Sequence, residues 1–168
     1  MAAAHDLGVT AVAAVLRADG SFLVEISADL DALLLGAGSG HDSAVLAARV
    51  AAMREEELED GLERLRGLFQ RRIRVRFDGE ATPFGVSFPD RQRAMSADAE
   101  APPSVLGLRV RLAGRAPENW SELTFWASRA FQQVRWTVVQ LESGRSDGKD
   151  LEVGEESPPF RRIPASTD

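Results

Sequence analysis

Short runs in which apolar and polar residues alternate recur along most of this sequence. In one of them, Ile73, Val75 and Phe77 alternate with arginines, which is the pattern of a β-strand with one buried face. Similar alternation, or short apolar runs rich in β-branched and aromatic residues, predicts further strands. These segments are 9–18, 21–27, 82–88, 104–114, 122–128 and 133–142, with a last short strand near 151–153. The chain is therefore expected to adopt a β-rich fold.

One helical segment interrupts the strands and decides the expected fold class. Apolar residues three or four apart predict a helix over about 43–71, and Gly61 is expected to bend or break it. Its apolar face would contain Leu46, Val50, Met53, Leu58, Leu62, Leu65 and Phe69. Seven or so short strands with one helical insertion are typical of an antiparallel β-sandwich (Ig-like) with one inserted α-helix. At 168 residues, the chain is expected to form a single domain over 1–168.

The connections between these elements carry their own signals. Asp19-Gly20 predicts a type I′ turn between the first two strands, with positive φ at both residues. Asp78-Gly79 predicts another turn, and residues 28–35 favour a short helical turn capped by Ala28 or Asp29. The polar segment 89–104 has no apolar period and is expected to be a flexible loop.

Composition argues against several classes of protein. The net charge of −6 argues against nucleic-acid binding, which usually requires a basic surface. The chain has no cysteine, which excludes disulfides and thiol catalysis, and only two histidines. No apolar run reaches the roughly 20 residues of a transmembrane helix. Because no nucleophile motif or phosphate-binding glycine loop is present either, we predict that the chain is not an enzyme.

Several sequence segments, in their order, resemble a known family. The first hairpin, the segments "RRIRVRFDGE" and "GRAPENWSELTF", and a closing stretch with Gly154, Ser157, Pro159 and Phe160 are similar to the extracytoplasmic N-terminal domain of HupE/UreJ-type membrane proteins. That family is linked to hydrogenase and urease accessory functions, and its domain precedes the transmembrane helices. The resemblance implies a periplasmic or other extracytoplasmic location. It also implies a partner, either the membrane-embedded portion of the same protein or another membrane protein.

The resemblance also gives a meaning to the first residues, "MAAAHD". Ala2 to Ala4 look like the end of a signal peptide, with small residues before the cleavage site. His5 would then be the first residue of the mature protein. Its α-amine and imidazole could chelate Cu²⁺ or Ni²⁺, with Asp6 as a third ligand. The alternative is an ordinary frayed terminus without a cofactor.

Other candidate sites have simpler interpretations. His41 precedes a helix and is expected to be exposed, while Glu25, Asp29 and Asp31 are expected to be solvated or to cap helices rather than to bind calcium. The three tryptophans, at positions 120, 126 and 136, could form a carbohydrate platform, although a packing role is favoured for all three. Strand parity puts Trp136 in the core and leaves Trp126 as the better surface candidate for ligand binding.

These expectations combine into one functional prediction. The chain is expected to be a non-enzymatic extracytoplasmic binding or assembly module of a bacterial membrane protein, with a link to nickel or copper handling. The alternative is a β-sandwich module that binds carbohydrate or another small ligand through Trp126, without a metal.

Overall fold

A computed structural model describes residues 9–38, 40–94 and 104–164 and shows ten strands arranged in two sheets. The six-stranded sheet contains, in spatial order, β5 (Gly85–Ser87), β6 (Arg109–Arg115), β2 (Ser21–Ser27), β1 (Val9–Leu16), β8 (Gln133–Gln140) and β9 (Arg145–Leu151). The four-stranded sheet contains β10 (Phe160–Arg161), β7 (Glu122–Ala127), β3 (Ile73–Phe77) and β4 (Glu80–Ala81). The helices are α1 (Leu30–Leu35), α2 (Ser43–Ala51), α3 (Glu55–Arg72) and α4 (Pro89–Ala94).

The core lies between the two sheets. Phe22 of the larger sheet meets Phe77 of the smaller sheet with ring centroids 5.5 Å apart, and Phe125 stacks on Trp136 at 4.7 Å. In β2 and β7, every second residue points into this layer and is buried, as alternation requires. The prediction of a mainly β, sandwich-like fold with helices is therefore confirmed.

One pair of strands differs from the expected antiparallel arrangement. β1 pairs with β8 in parallel, from Val9 opposite Gln133 to Leu16 opposite Gln140, so the six-stranded sheet is mixed. Alternation of apolar and polar residues is the same in parallel and antiparallel strands. The sequence pattern could therefore predict both strands but not their direction of pairing.

The turn of the first hairpin differs from the predicted type I′ turn. Within this turn, only Gly20 has a positive φ, at 79°. The Arg17 amide donates to the Ser21 carbonyl oxygen, and the Gly20 amide donates to the Arg17 carbonyl oxygen. This is a type I turn closed by a glycine bulge, and Asp19 instead accepts bonds from Ser21. The type I′ geometry is found between β3 and β4, where Asp78 and Gly79 have φ values of 51° and 84°.

The predicted helical insertion is two helices rather than one. The helical conformation is interrupted between Ala51 and Glu55. The Arg54 amide donates to the Glu57 carboxylate at 3.1 Å, at the start of α3. Gly61 does not break the helix. Gly61 is buried against α1. A larger residue would not fit there, because its Cβ would lie 2.4 Å from the Leu34 side chain. The apolar face itself is confirmed, since its members at 46, 50, 62, 65 and 69 are buried.

The segment predicted as a flexible loop over 89–104 begins with a helix. α4 occupies Pro89–Ala94, and its Asp90 binds Arg109 of β6 through two nitrogens of the guanidinium group. Residues 95–103 lie outside the described residues. None of the helices that the structure describes is long and apolar enough to cross a membrane.

Candidate binding surfaces

The candidate metal ligands at the N-terminus are not part of the described structure. His5 and Asp6 lie outside the described residues, so their role as Cu²⁺ or Ni²⁺ ligands stays a prediction. His41 is exposed, and its Nδ1 lies 2.9 Å from the Gly38 carbonyl oxygen. Within residues 9–38, 40–94 and 104–164, no three His, Asp or Glu side chains come close enough to hold a metal ion.

Two acidic residues that follow β2, Asp29 and Asp31, have different structural roles. Asp29 caps α1 by accepting from the Ala32 amide at 3.0 Å, as expected. Asp31 was expected to be solvated but is only 1% exposed. It accepts hydrogen bonds from the Val105 and Leu106 amides at 2.8 and 3.0 Å. The expectation was wrong for Asp31 because the partners are backbone amides distant in sequence.

Trp126 lies on the outer face of the four-stranded sheet. It is half-buried, and its indole N–H donates to the Gly154 carbonyl oxygen at 3.1 Å. On the neighbouring strand β3, it is paired with Arg74. Trp136 is 3% exposed and packs in the core, so strand parity assigned both residues correctly. Whether Trp126 binds a carbohydrate stays a prediction, and its indole nitrogen is already hydrogen-bonded within the protein.

Polar contacts cover the sheet face beside Trp126. Glu156 lies 2.6 Å from the Arg76 guanidinium and 2.8 Å from the Thr124 hydroxyl, which both donate to it. Burial raises the pKa of the Glu156 carboxyl, but these hydrogen bonds and the charge of Arg76 hold it below its ordinary value. The carboxylate is therefore engaged in joining the chain after β9 to β3 and β7.

The outer face of the six-stranded sheet is different, because its centre is apolar. We call this surface the outer sheet face. On the central strand β1, the outward residues Val9, Ala11 and Ala13 are exposed and Val15 is half-buried. The outward residues on the strands around it include Leu23 of β2, Ala113 of β6, and Thr137 and Val139 of β8. Since even Ala13 in the middle of the sheet is exposed, no described element packs over this face.

Charged residues on the outer sheet face are bound to each other. Arg111 donates to Glu25 at 3.0 Å, and Arg135 donates to Asp150 at 3.0 Å. Arg109 is bound by Asp90, whose hydrogen bonds and charge raise the pKa of that guanidinium. These pairs lie on either side of β1. The apolar centre is thus flanked by charges that are already neutralised.

A concave cleft opens at one end of the sandwich. It has a volume of about 570 Å³ and is lined by residues 119–122, 161, 162 and 164. The Arg162 guanidinium carbon lies 5.6 Å from the centre of the Trp120 ring, which is buried. Arg161 is paired with Glu122 at 3.2 Å, so acidic and basic groups occur together in this cleft. Its lining therefore selects neither anions nor cations.

Comparison with known proteins finds no family model that matches the chain and no curated protein with significant sequence similarity to it.

Sequence reasoning missed the outer sheet face, although a signal for it is present. In "VTAVAAVL", the residues of both parities are apolar apart from Thr10, whereas a strand with one face in water alternates. A strand that is apolar on both sides indicates that both sides become covered. The hairpin pattern predicts this run as a strand but does not by itself predict what covers the face of the sheet opposite the core.

Proposed function

We propose that this chain is a non-enzymatic assembly module of a bacterial membrane protein, and that its outer sheet face docks another protein surface. The observation that supports this proposal is the apolar centre of that face, formed by Val9, Ala11, Ala13 and Val15 on β1. Apolar residues scattered singly over a surface are ordinary, but a contiguous apolar patch with a polar rim is typical of an interaction site. Here the rim consists of the paired charges beside β6 and β9.

The shape of the face supports a protein partner rather than a small ligand. The alanine side chains at positions 11, 13 and 113 are too small to form walls around a small molecule at the centre of the face. Sheets pack face to face at about 10 Å when their outward side chains are small enough to interlock. A flat partner of the same kind, such as another sheet, fits this surface.

The free edges of the sheets support the same choice of surface. β9 is an edge strand, and its exposed residues include Asp147, Lys149 and Asp150. At the other edges, β4 and β10 have two residues each and β5 has three. Short or charged edge strands disfavour association by strand pairing. Association through the outer sheet face is therefore favoured over association through an edge.

The location and the metal link rest on the sequence resemblance. The resemblance to the HupE/UreJ-type domain supports a location outside the cytoplasm, next to the membrane-embedded part of the same protein or a membrane partner. The residues that carry the resemblance have structural tasks here. The Ser157 hydroxyl accepts from the Phe125 amide at 2.9 Å, and Phe160 is buried in the core. Nickel or copper binding by His5 and Asp6 is part of the same proposal.

A single charged substitution tests the proposed docking. We expect Ala13→Arg in the full-length protein to weaken its assembly into a larger membrane complex, because a guanidinium would replace the smallest side chain at the centre of the face. Ala81→Arg is the matched control, since Ala81 is an exposed alanine on a strand of the other sheet. Native gel electrophoresis of solubilised membranes gives the size of the complex. Unchanged assembly of the Ala13 variant would contradict the proposal.

A further inference from the structure

We infer that the occupant of the outer sheet face is a second copy of this chain, packed across a twofold axis that runs along β1. This inference rests on the proposed docking function of the same face. Among the five long strands of the sheet, β1 is central, with β2 and β6 on one side and β8 and β9 on the other. A twofold axis along β1 therefore places β2 over β8 of the second copy, and β6 over β9.

The apolar row through Val15 is complementary to itself under this rotation. Val15 is paired with Leu23 on one side and with Val139 on the other, and the row continues to Ala113 and Ser146. The rotation keeps each row in place and exchanges its ends. Leu23 then faces Val139 of the second copy, and Val15 faces its own equivalent. The small residues at the ends of the row, Ala113 and Ser146, face each other.

The next row has a long side chain, Arg111, at one end and a glycine, Gly148, at the other. Ala13 is paired with Glu25 and Thr137, and this row ends at Arg111 on β6 and Gly148 on β9. The twofold axis places the long Arg111 side chain over Gly148 of the second copy, where no side chain competes for the space. Self-complementarity of this kind is what a twofold interface requires, because one patch must fit itself.

Charge favours the same orientation. One row further along the strands, Arg109 of β6 lies over Asp150 of β9 in the second copy, because Asp150 is level with Ala11 through Arg135. A twofold axis perpendicular to the strands would instead place β6 on β6. That arrangement would bring the arginines of β6 together, with Arg109 and Arg111 already paired to Asp90 and Glu25, and would offer them no new acidic partner.

The face is close in size to one side of a standard specific interface. Five long strands of seven or eight residues cover about 24 by 25 Å, or about 600 Å² in projection, at the usual strand spacing and rise. Side-chain relief increases the accessible area beyond this projection. A standard specific interface buries about 800 Å² on each partner.

The first test is the mass of the chain in solution. Sedimentation equilibrium at micromolar concentrations should give twice the 18.2 kDa of one chain. Ala13→Arg should weaken the dimer by at least about 100-fold, since two guanidinium groups would meet at the axis. Ala81→Arg should leave the dissociation constant unchanged. A monomer at all concentrations up to the millimolar range would overturn the inference.

Crosslinking tests the orientation, and the chain suits it because it has no cysteine of its own. A mixture of the Ala113→Cys and Ser146→Cys variants, treated with a short bis-maleimide, should give a crosslinked mixed dimer. Each variant alone should give little product. Ala13→Cys alone should crosslink efficiently, while the control Ala81→Cys should not. Efficient crosslinking of Ala113→Cys with itself would instead show β6 on β6 and overturn the proposed axis.

Failure of this inference can be separated from failure of the docking proposal. If the chain is monomeric but Ala13→Arg still disrupts the full-length complex, the face docks a different protein and only the second-copy inference is overturned. The chain would also be monomeric if a segment outside the described residues covered the face within one chain. Ala13→Arg would then leave the full-length complex intact. In that case both proposals are overturned.

Discussion

At the scale of single residues, Asp31 joins two distant parts of the chain. Its buried carboxylate accepts from the Val105 and Leu106 amides and so fixes the start of the segment that leads into β6. Leu106 itself is completely buried. A buried amide without an acceptor is costly, so both amides depend on this carboxylate.

Removal of that carboxylate should be clearly destabilising. We expect Asp31→Ala to lower the free energy of unfolding by about 2–4 kcal/mol, because the buried Leu106 amide and the part-buried Val105 amide lose a charged acceptor. Asp29→Ala removes only the cap of α1 and should cost about 1 kcal/mol. Urea denaturation followed by circular dichroism measures both. An equal, small loss in the two variants would show that the Asp31 carboxylate does not stabilise the loop.

The residue scale also shows what sequence alone can and cannot predict about sites. Strand parity placed Trp136 in the core and Trp126 at the surface, because alternation directly encodes the side of the sheet. It could not predict the burial of Asp31, since the amides that bind it are more than seventy residues away in sequence. Candidate sites made of consecutive residues are therefore visible in the sequence, and sites made by tertiary contacts are not.

At the scale of elements, the helices connect the two sheets to a common core. The buried face of α3 includes Leu62, Leu65 and Phe69, and it belongs to the same apolar cluster as the strands. Apolar periodicity predicted this face correctly, because three- and four-residue spacing is a local property. The break between α2 and α3 was misplaced, since Gly61 is needed for the close approach of Leu34 rather than for a bend.

The contribution of α3 can be measured with one core substitution. Leu65 is 2% exposed, so we expect Leu65→Ala to cost about 2–5 kcal/mol of the free energy of unfolding. Val45 on α2 is 56% exposed, and Val45→Ala should change stability by less than about 0.5 kcal/mol. Chemical denaturation of both variants checks the difference. A loss at Leu65 as small as that at Val45 would contradict the packing of α3 on the sheets.

At the scale of the whole molecule, the two sides of the six-stranded sheet have different neighbours. The inner side packs against the smaller sheet and α3, while the apolar centre of the outer sheet face has no described element over it. The parallel pairing of β1 with β8 creates this centre, because it places Val15 beside Val139 and Ala13 beside Thr137. The pairing partner of a strand is not encoded in its own pattern. The sequence of β1 therefore indicates a second apolar face, but not which residues of other strands surround it.

The most direct test of the docking proposal is the accessibility of the outer sheet face in the assembled protein. Ala13→Cys and Ala81→Cys are introduced into the full-length protein, and intact membranes are treated with a polar maleimide. Both alanines are exposed in the isolated chain, and the chain contains no other thiol. The proposal predicts that the cysteine at position 13 is protected from the maleimide in the assembly and reacts with it once the assembly is dissociated. The cysteine at position 81 should react in both states. Equal, rapid labelling at both positions in the assembled protein would contradict it.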